Sequence, residues 1–381
     1  MFKKRCLSFL IIVTLMVPLS WFSTFALGED EITAPAAVLM EPVTGKVMFE
    51  KNPHDIRPCA SITKVMTLIL VFEAIENGKL DYTDLVTASA HAASMGGSDI
   101  WLEEGEQMTV DHMIKAVVVA SANDAAVALA EAVSGTEEEF VNKMNEKAKT
   151  LGMDDTTFKN CNGLDEEGHL TSAYDVALMS AELITHEKIF EYSSIWLDTL
   201  RGGETQIVNT NKLLKSYTGI TGLKTGTTSQ AGSCMSATAT RDGMSLVAVV
   251  LGCDTGTNRF KDCAKLLDYG FANYMVKELT ISGGALTPVK VKNGMKPTVG
   301  VTCNIGKQAL LPKSGDAEIE SKIEIIEELE APVEPGTKAG KVSFVYNDST
   351  VDEFDIITTE SVEKITFKSV FFFLMSKLFS F

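Results

Sequence analysis

The run from Val65 to Ile75 is apolar on nearly every face of the helix it would form, and this limits the folds open to the chain. A helix without a polar side must be enclosed by other elements, so the chain has to build layers around it. Asn77-Gly78 closes the run. Just ahead of it stand Ser61 and Lys64, whose three-residue spacing puts both side chains on one face of the first turn. A serine hydroxyl is a weak nucleophile until a neighbouring base takes its proton, and a lysine is that base only where its surroundings keep it neutral. A second Ser-x-x-Lys, Ser361 to Lys364, lies far along the chain, so the spacing alone does not select the first pair.

At 381 residues the chain exceeds one average domain, and two are expected. The net charge of -17 sets aside nucleic acid and anionic lipid as the main ligand of the whole molecule, because both would repel it. Lys3, Lys4 and Arg5, the apolar stretch Leu7 to Leu19 and the small-residue end Thr24-Phe25-Ala26 form the pattern of an export signal over 1–26, cut after Ala26. An uncleaved anchor is the competing reading, since Leu7 to Phe25 approaches the length of a span. Either way the bulk of the chain works outside the cytoplasm.

Cys59, Cys161, Cys234, Cys253, Cys263 and Cys303 are scattered singly, with no C-x-x-C pair or Cys/His cluster. They read as buried free thiols, and neither a zinc site nor any cofactor is expected. His54, His91, His112, His169 and His186 show no ligand spacing and read as surface or loop residues.

Along the chain, Ala36 to Met40 and Val47 to Glu50 read as a hairpin across the turn Pro42 to Lys46. A helix opened by Thr109 to His112, with apolar part Met113 to Val119, ends at Ala120-Ser121-Ala122-Asn123-Asp124. There Ser and Asn are also favoured helix caps. Helices are expected over Ala125 to Val133, Glu137 to Thr150 and Thr171 to Leu183, with a polar loop, Asp154 to Gly168, before the last. From about Leu200 strands take over: Gly222 to Thr228, Ser233 to Thr240 and Ser245 to Gly252, followed by a long helix, Asn258 to Val276. This is the pattern of an α+β domain over 27–276.

Beyond it, short β-branched segments between turns predict a small β-sandwich-like domain over 277–358. In 359–381, Phe367, Phe371, Leu374, Leu378 and Phe381 share one helix face, with Lys364, Lys368, Ser369 and Ser376 mostly opposite. The apolar core there is too short to span a bilayer. It predicts an amphipathic helix lying in a membrane interface, or else one packed back on its own domain.

Ser61-x-x-Lys64, Ser121-x-Asn123 and Lys224-Thr225-Gly226 occur in that order on a helix start, a helix junction and a strand. The trio resembles that of the penicilloyl serine transferases, a group that shares it with class A β-lactamases. Longer stretches narrow this: Arg57 to Ser61, Ser121 to Ala126, Asn209 to Leu214, Lys224 to Thr228 and Asn258-Arg259-Phe260 are similar to the D-alanyl-D-alanine carboxypeptidases, the low-molecular-mass penicillin-binding proteins. The resemblance covers the whole chain and implies a β-lactamase/transpeptidase-like catalytic domain of helices and antiparallel sheet, followed by a small all-β domain and a membrane anchor. It also implies a peptidoglycan stem peptide as substrate, β-lactam antibiotics as covalent inhibitors, and a place on the outer face of the cytoplasmic membrane.

The chemistry can be assigned residue by residue. Ser61 is the nucleophile and Lys64 its base, kept neutral by burial and by the like charge of Lys224. Ser121 relays a proton to the leaving nitrogen, and Asn123 offers a donor and an acceptor to the substrate amide and Lys64. Lys224 and the Thr225 hydroxyl suit the terminal carboxylate, and Gly226 lets the substrate backbone come close. By similarity to the family, the oxyanion hole is formed by the backbone N–H groups of Ser61 and Thr227. A class A β-lactamase would use a loop glutamate to activate water, and Glu166 and Glu167 lie in a loop of suitable order. A D,D-endopeptidase acting on cross-links and a non-catalytic wall-binding protein are further readings.

Overall fold

The computed structural model describes residues 27–379 apart from 283, 307 and 314–317. The export signal over 1–26 and Phe381 of the C-terminal apolar face lie outside the described residues.

A five-stranded antiparallel sheet divides the larger domain. Its strands are β1 (Ala36–Glu41), β2 (Lys46–Lys51), β3 (Ile220–Thr228), β4 (Gly232–Arg241) and β5 (Met244–Cys253), in the spatial order β2-β1-β5-β4-β3. Strands β1 and β5 are buried on both faces, which is why they read as continuous apolar runs. Along β5, Val247, Val249 and Leu251 face one core, while Leu246, Ala248 and Val250 face the other.

The first core encloses α1 (Lys64–Glu76), together with α2 (Asn123–Ser134), α3 (Glu137–Thr150) and α4 (Ala173–Leu183). From Lys64 to Phe72 every residue of α1 is buried, as its lack of a polar face demands. The second core lies on the other face of the sheet under α5 (Gly256–Asn273). The result is helices, sheet and helix in three layers, with β3 left as a free sheet edge facing the head of α1.

The long helix expected through Val276 ends at Asn273. Tyr274–Glu278 is instead a strand paired with Gln308–Pro312, and together they begin the second domain. That domain also has a three-stranded sheet (Thr298–Val299, Val289–Lys292 and Glu328–Glu330) and a four-stranded one (Val301–Cys303, Ser349–Thr358, Lys338–Tyr346 and Glu320–Ile325).

The chain after Thr358 does not enter a helix at once. Val362 is buried and exchanges backbone hydrogen bonds with Val333, and Ile365 N donates to Asn293 O. Only Phe367–Phe379 is helical (α6), with Phe367, Phe371, Phe372, Leu374 and Leu378 exposed. Among the described residues no helix is long and apolar enough to cross a membrane.

Candidate active site

Ser61 lies in a single 3-10 turn, Ala60–Thr63, that leads into α1. The backbone there is held in an unusual shape. Ala60 has φ of +51°, a left-handed value that costs a non-glycine residue about 1 kcal/mol or more. Two glycines clamp the turn. A Cβ on Gly226 of β3 would lie 2.6 Å from Cys59 O and 3.0 Å from Ser61 N, and one on Gly163 would lie 2.0 Å from Ala60 O. Gly226 thus makes a close approach to the nucleophile's own turn, a demand on glycine separate from the substrate approach expected from the sequence.

Lys64 Nζ is fully buried and hydrogen-bonds Ser61 Oγ at 2.9 Å, Asn123 Oδ1 at 2.6 Å and the carbonyl of Asn162 at 2.6 Å. Burial lowers its pKa from 10.5 to about 7, against the pull of Cys161, Asp124 and Cys59. The repulsion between the two ammonium groups is felt at Lys224, which burial, then Lys64, then Arg259 hold well below the usual lysine range. That repulsion is mutual, so the like-charge effect expected on Lys64 belongs to the pair, with burial the larger cause for both lysines.

Ser121 follows a π-helical turn, Ala116–Ala120, and has φ of +62°. It does not cap α2, whose N-cap is Ala122 with no side-chain bond. Its Oγ instead accepts from Lys224 Nζ at 2.8 Å. Lys224 sits on the edge strand but turns inward, leaving 2% of its surface exposed and also bonding the carbonyl of Thr225 at 3.1 Å. Asn123 donates through Nδ2 to Gly96 O at 2.6 Å, keeping one amide hydrogen for another acceptor. The Thr225 hydroxyl pairs with Thr210 at 2.7 Å.

The structure thus brings Ser61, Lys64, Ser121, Asn123, Lys224, Thr225, Gly226 and Thr227 around the gap between α1 and β3. By contrast, Ser361 and Lys364 are both exposed and stand apart from these groups, on the segment after Thr358.

Three contributors escape a reading of spacings. The Asn162 carbonyl on Lys64 is backbone and has no side-chain signature. Arg259 on α5 donates to Gly226 O at 2.9 Å and to the Thr227 hydroxyl at 2.7 Å, so a helix residue reaches the end of the Lys-Thr-Gly strand. His169, expected at the surface or in a loop, is 4% exposed. Its Nδ1 accepts from Lys159 N at 3.1 Å, which leaves Nε2 to donate to Thr63 Oγ1 at 2.7 Å. Thr63 in turn donates to Ala60 O at 2.9 Å. Burial pushes the His169 pKa down to about 4, so the ring is neutral. The polar loop it belongs to folds beneath the nucleophile, which is why this histidine lies inside.

Among the described residues six cysteines are free, five of them buried and Cys303 partly so. Cys59, two residues from the nucleophile, has its thiol pushed up to about 11 by burial.

A serine hydrogen-bonded to a buried neutral lysine, facing a second buried lysine across a serine, defines a serine acyl-transfer hydrolase on the penicillin-binding protein fold. The sequence profile of the D-alanyl-D-alanine carboxypeptidases matches residues 23–255, and that of the penicillin-binding protein 5 C-terminal domain matches 274–364. The D-alanyl-D-alanine carboxypeptidase DacF of Bacillus subtilis is 40% identical over 374 residues, 96% of each chain. The crystal structure of penicillin-binding protein 5 from Haemophilus influenzae superposes with a TM-score of 0.80 at 31% identity, over 89% of this chain and 100% of that one. Penicillin-binding protein D2 from Listeria monocytogenes in its ampicillin-bound form gives 0.58 at 34% identity, over 63% and 98%. The chain belongs to the D-alanyl-D-alanine carboxypeptidase family and is a serine peptidase of that specificity.

Proposed function

We propose that the enzyme removes the terminal D-alanine of peptidoglycan stem pentapeptides through an acyl-enzyme on Ser61. The observation that carries this reading is the pair of lysines: Lys64, whose pKa burial brings down to about 7, contacts the Ser61 hydroxyl, while Lys224 contacts Ser121. Lys64 takes the Ser61 proton as the oxygen attacks the penultimate carbonyl, and the new oxyanion is held by the N–H groups of Ser61 and Thr227. Ser121 then gives its proton to the leaving D-alanine nitrogen and recovers one through Lys224 or Lys64. Water releases the acyl group by the same steps in reverse.

Because Lys224 is buried and disposed to lose its charge, the leaving carboxylate is better matched by Thr225, Thr227 and the guanidinium of Arg259. Asn123 holds the substrate amide with its second hydrogen. Incubating the protein with a pentapeptide ending in D-Ala-D-Ala should release D-alanine, and Ser61→Ala should abolish release. Release surviving that substitution would overturn the assignment.

Covalent capture of penicillin at Ser61 follows from the same geometry and from the ampicillin-bound Listeria relative. Loss of the penicilloyl group should be slow, because the carboxylate of Glu166 is engaged by Asn160 Nδ2 at 3.1 Å, which does not favour a β-lactamase water. A cross-linked muropeptide in the same assay separates endopeptidase from carboxypeptidase action.

The reading also includes export by the 1–26 signal, catalysis by the domain that ends at Asn273, a β domain from Tyr274 to residue 366 and attachment of α6 to the outer face of the cytoplasmic membrane. The exposed apolar side chains of α6 support the last of these.

A further inference from the structure

The largest exposed side chain near the catalytic groove has no part in the chemistry above. Trp101 is 76% exposed and has φ of +56°, a left-handed conformation that is a true outlier for a bulky residue. Exposure and strain both oppose it, so the surrounding bonds must impose it. Asp124 accepts from the amides on either side, Ile100 N and Leu102 N, each at 3.0 Å. Arg201, itself at φ of +53°, donates to Ile100 O at 3.0 Å and grips Glu106 through Nε and Nη2 at 2.7 and 3.1 Å. The same loop is pinned to the site, because Asn123 N donates to Ser98 O and Asn123 Nδ2 to Gly96 O, both at 2.6 Å. The backbone that carries the indole is therefore held in place, on the loop that Asn123 holds.

Beside it lies an open concavity of about 500 Å³ lined by Trp101, Glu103, Glu104, Gly105, Glu106 and Arg201. An exposed aromatic face flanked by the carboxylate acceptors of Glu103 and Glu104, with one guanidinium hydrogen of Arg201 beyond those given to Glu106, Ile100 and Thr205, fits a neutral ring with an apolar face and polar edges. The pairing of Arg201 with Glu106 leaves Glu103 and Glu104 as the charges of the lining, which count against an anion, and a peptide bearing an ammonium group separates a cation from a neutral ring. Three stem residues separate the penultimate D-alanine of a pentapeptide from the sugar that bears it, a reach of about 10 Å when extended.

We propose that Trp101 and this concavity form a carbohydrate subsite that holds the N-acetylated sugar carrying the stem peptide. The proposal rests on the peptidoglycan reading above. Because the loop is already ordered, stacking there adds binding with little ordering cost and acts on substrate capture more than on chemistry.

The test compares Trp101→Ala and Trp101→Phe with the wild type on three substrates: a disaccharide-linked pentapeptide, a sugar-free acylated tripeptide ending in D-Ala-D-Ala, and the same tripeptide with a free side-chain ammonium. For Trp101→Ala we expect KM on the disaccharide substrate to rise about three- to tenfold with kcat unchanged, and both tripeptides to be unaffected. Trp101→Phe should keep most of the wild-type KM. Quenching of tryptophan fluorescence by a free N-acetylated disaccharide should occur in the wild type and be lost in Trp101→Phe.

Equal losses on all three substrates would mean that Trp101 only supports the loop, and would overturn the proposal. So would no loss anywhere, or a loss confined to the ammonium peptide. A wild type inactive on every substrate would overturn the peptidoglycan reading itself, whereas activity on the tripeptides without a sugar effect sinks the subsite alone.

Discussion

At the scale of single residues, the site depends on which lysine holds a proton. Lys64 must be neutral to accept one from Ser61, and burial brings its pKa to about 7. Acylation should therefore climb as pH rises through about 7, seen as the acid limb of kcat/KM for D-alanine release or of penicillin capture. Between about 7 and its ordinary 10.5, the unfolded chain carries a proton at this residue that the native protein lacks. Stability should rise with pH across that window, and Lys64→Met should flatten the slope in urea titrations. Lys64→Arg cannot become neutral and should cut acylation by about 10² to 10⁴. Gly226 makes a different demand. Adding one methyl there forces β3 away from Cys59 O and Ser61 N, so Gly226→Ala should slow penicillin acylation about a hundredfold or more, with a stability loss of about 1 to 3 kcal/mol in the same titrations.

Among the elements, α1 is the one most fully declared by sequence, since a run with no polar side has one place to go. The catalytic trio was legible for a related reason: two of the motifs mark where a helix begins, the third lies on the edge strand beside them, and the three meet in the groove. The π-turn before Ser121, the strand Tyr274–Glu278 and the inward turn of Lys224 were not legible. Each is set by what packs against it from far along the chain, not by its own pattern. The loop containing His169 belongs with these. Its polar composition reads as surface, yet it folds under the nucleophile, and His169 supports Ala60 through Thr63. Loss of that chain should loosen the strained turn without touching substrate. His169→Leu should lower the acylation rate about tenfold with KM little changed. His169→Gln, which can still donate to Thr63, should recover most of it, and burst kinetics with a chromogenic cephalosporin would separate the two variants.

For the whole molecule, the open matter is where the catalytic body stops and the attachment begins. The composition changes near Thr358, but the fold does not let go there. Thr359 N donates to Gly300 O, Val362 is buried and paired with Val333, and Met295 N and Ile365 N complete the weave before α6 starts at Phe367. The chain from 359 to 366 is thus a last strand-like edge of the β domain, and the membrane attachment proposed above falls to α6. A protein ending at Thr366 should keep full D-alanine release and its thermal midpoint while losing binding to lipid vesicles. One ending at Thr358 also gives up the burial of Val362 and its paired backbone bonds, and its β domain should lose about 3 kcal/mol or more. Calorimetry should then show an early transition for that domain, ahead of an unchanged one for the catalytic body. If the shorter chain melts like the longer one, residues 359–366 belong to the anchor after all.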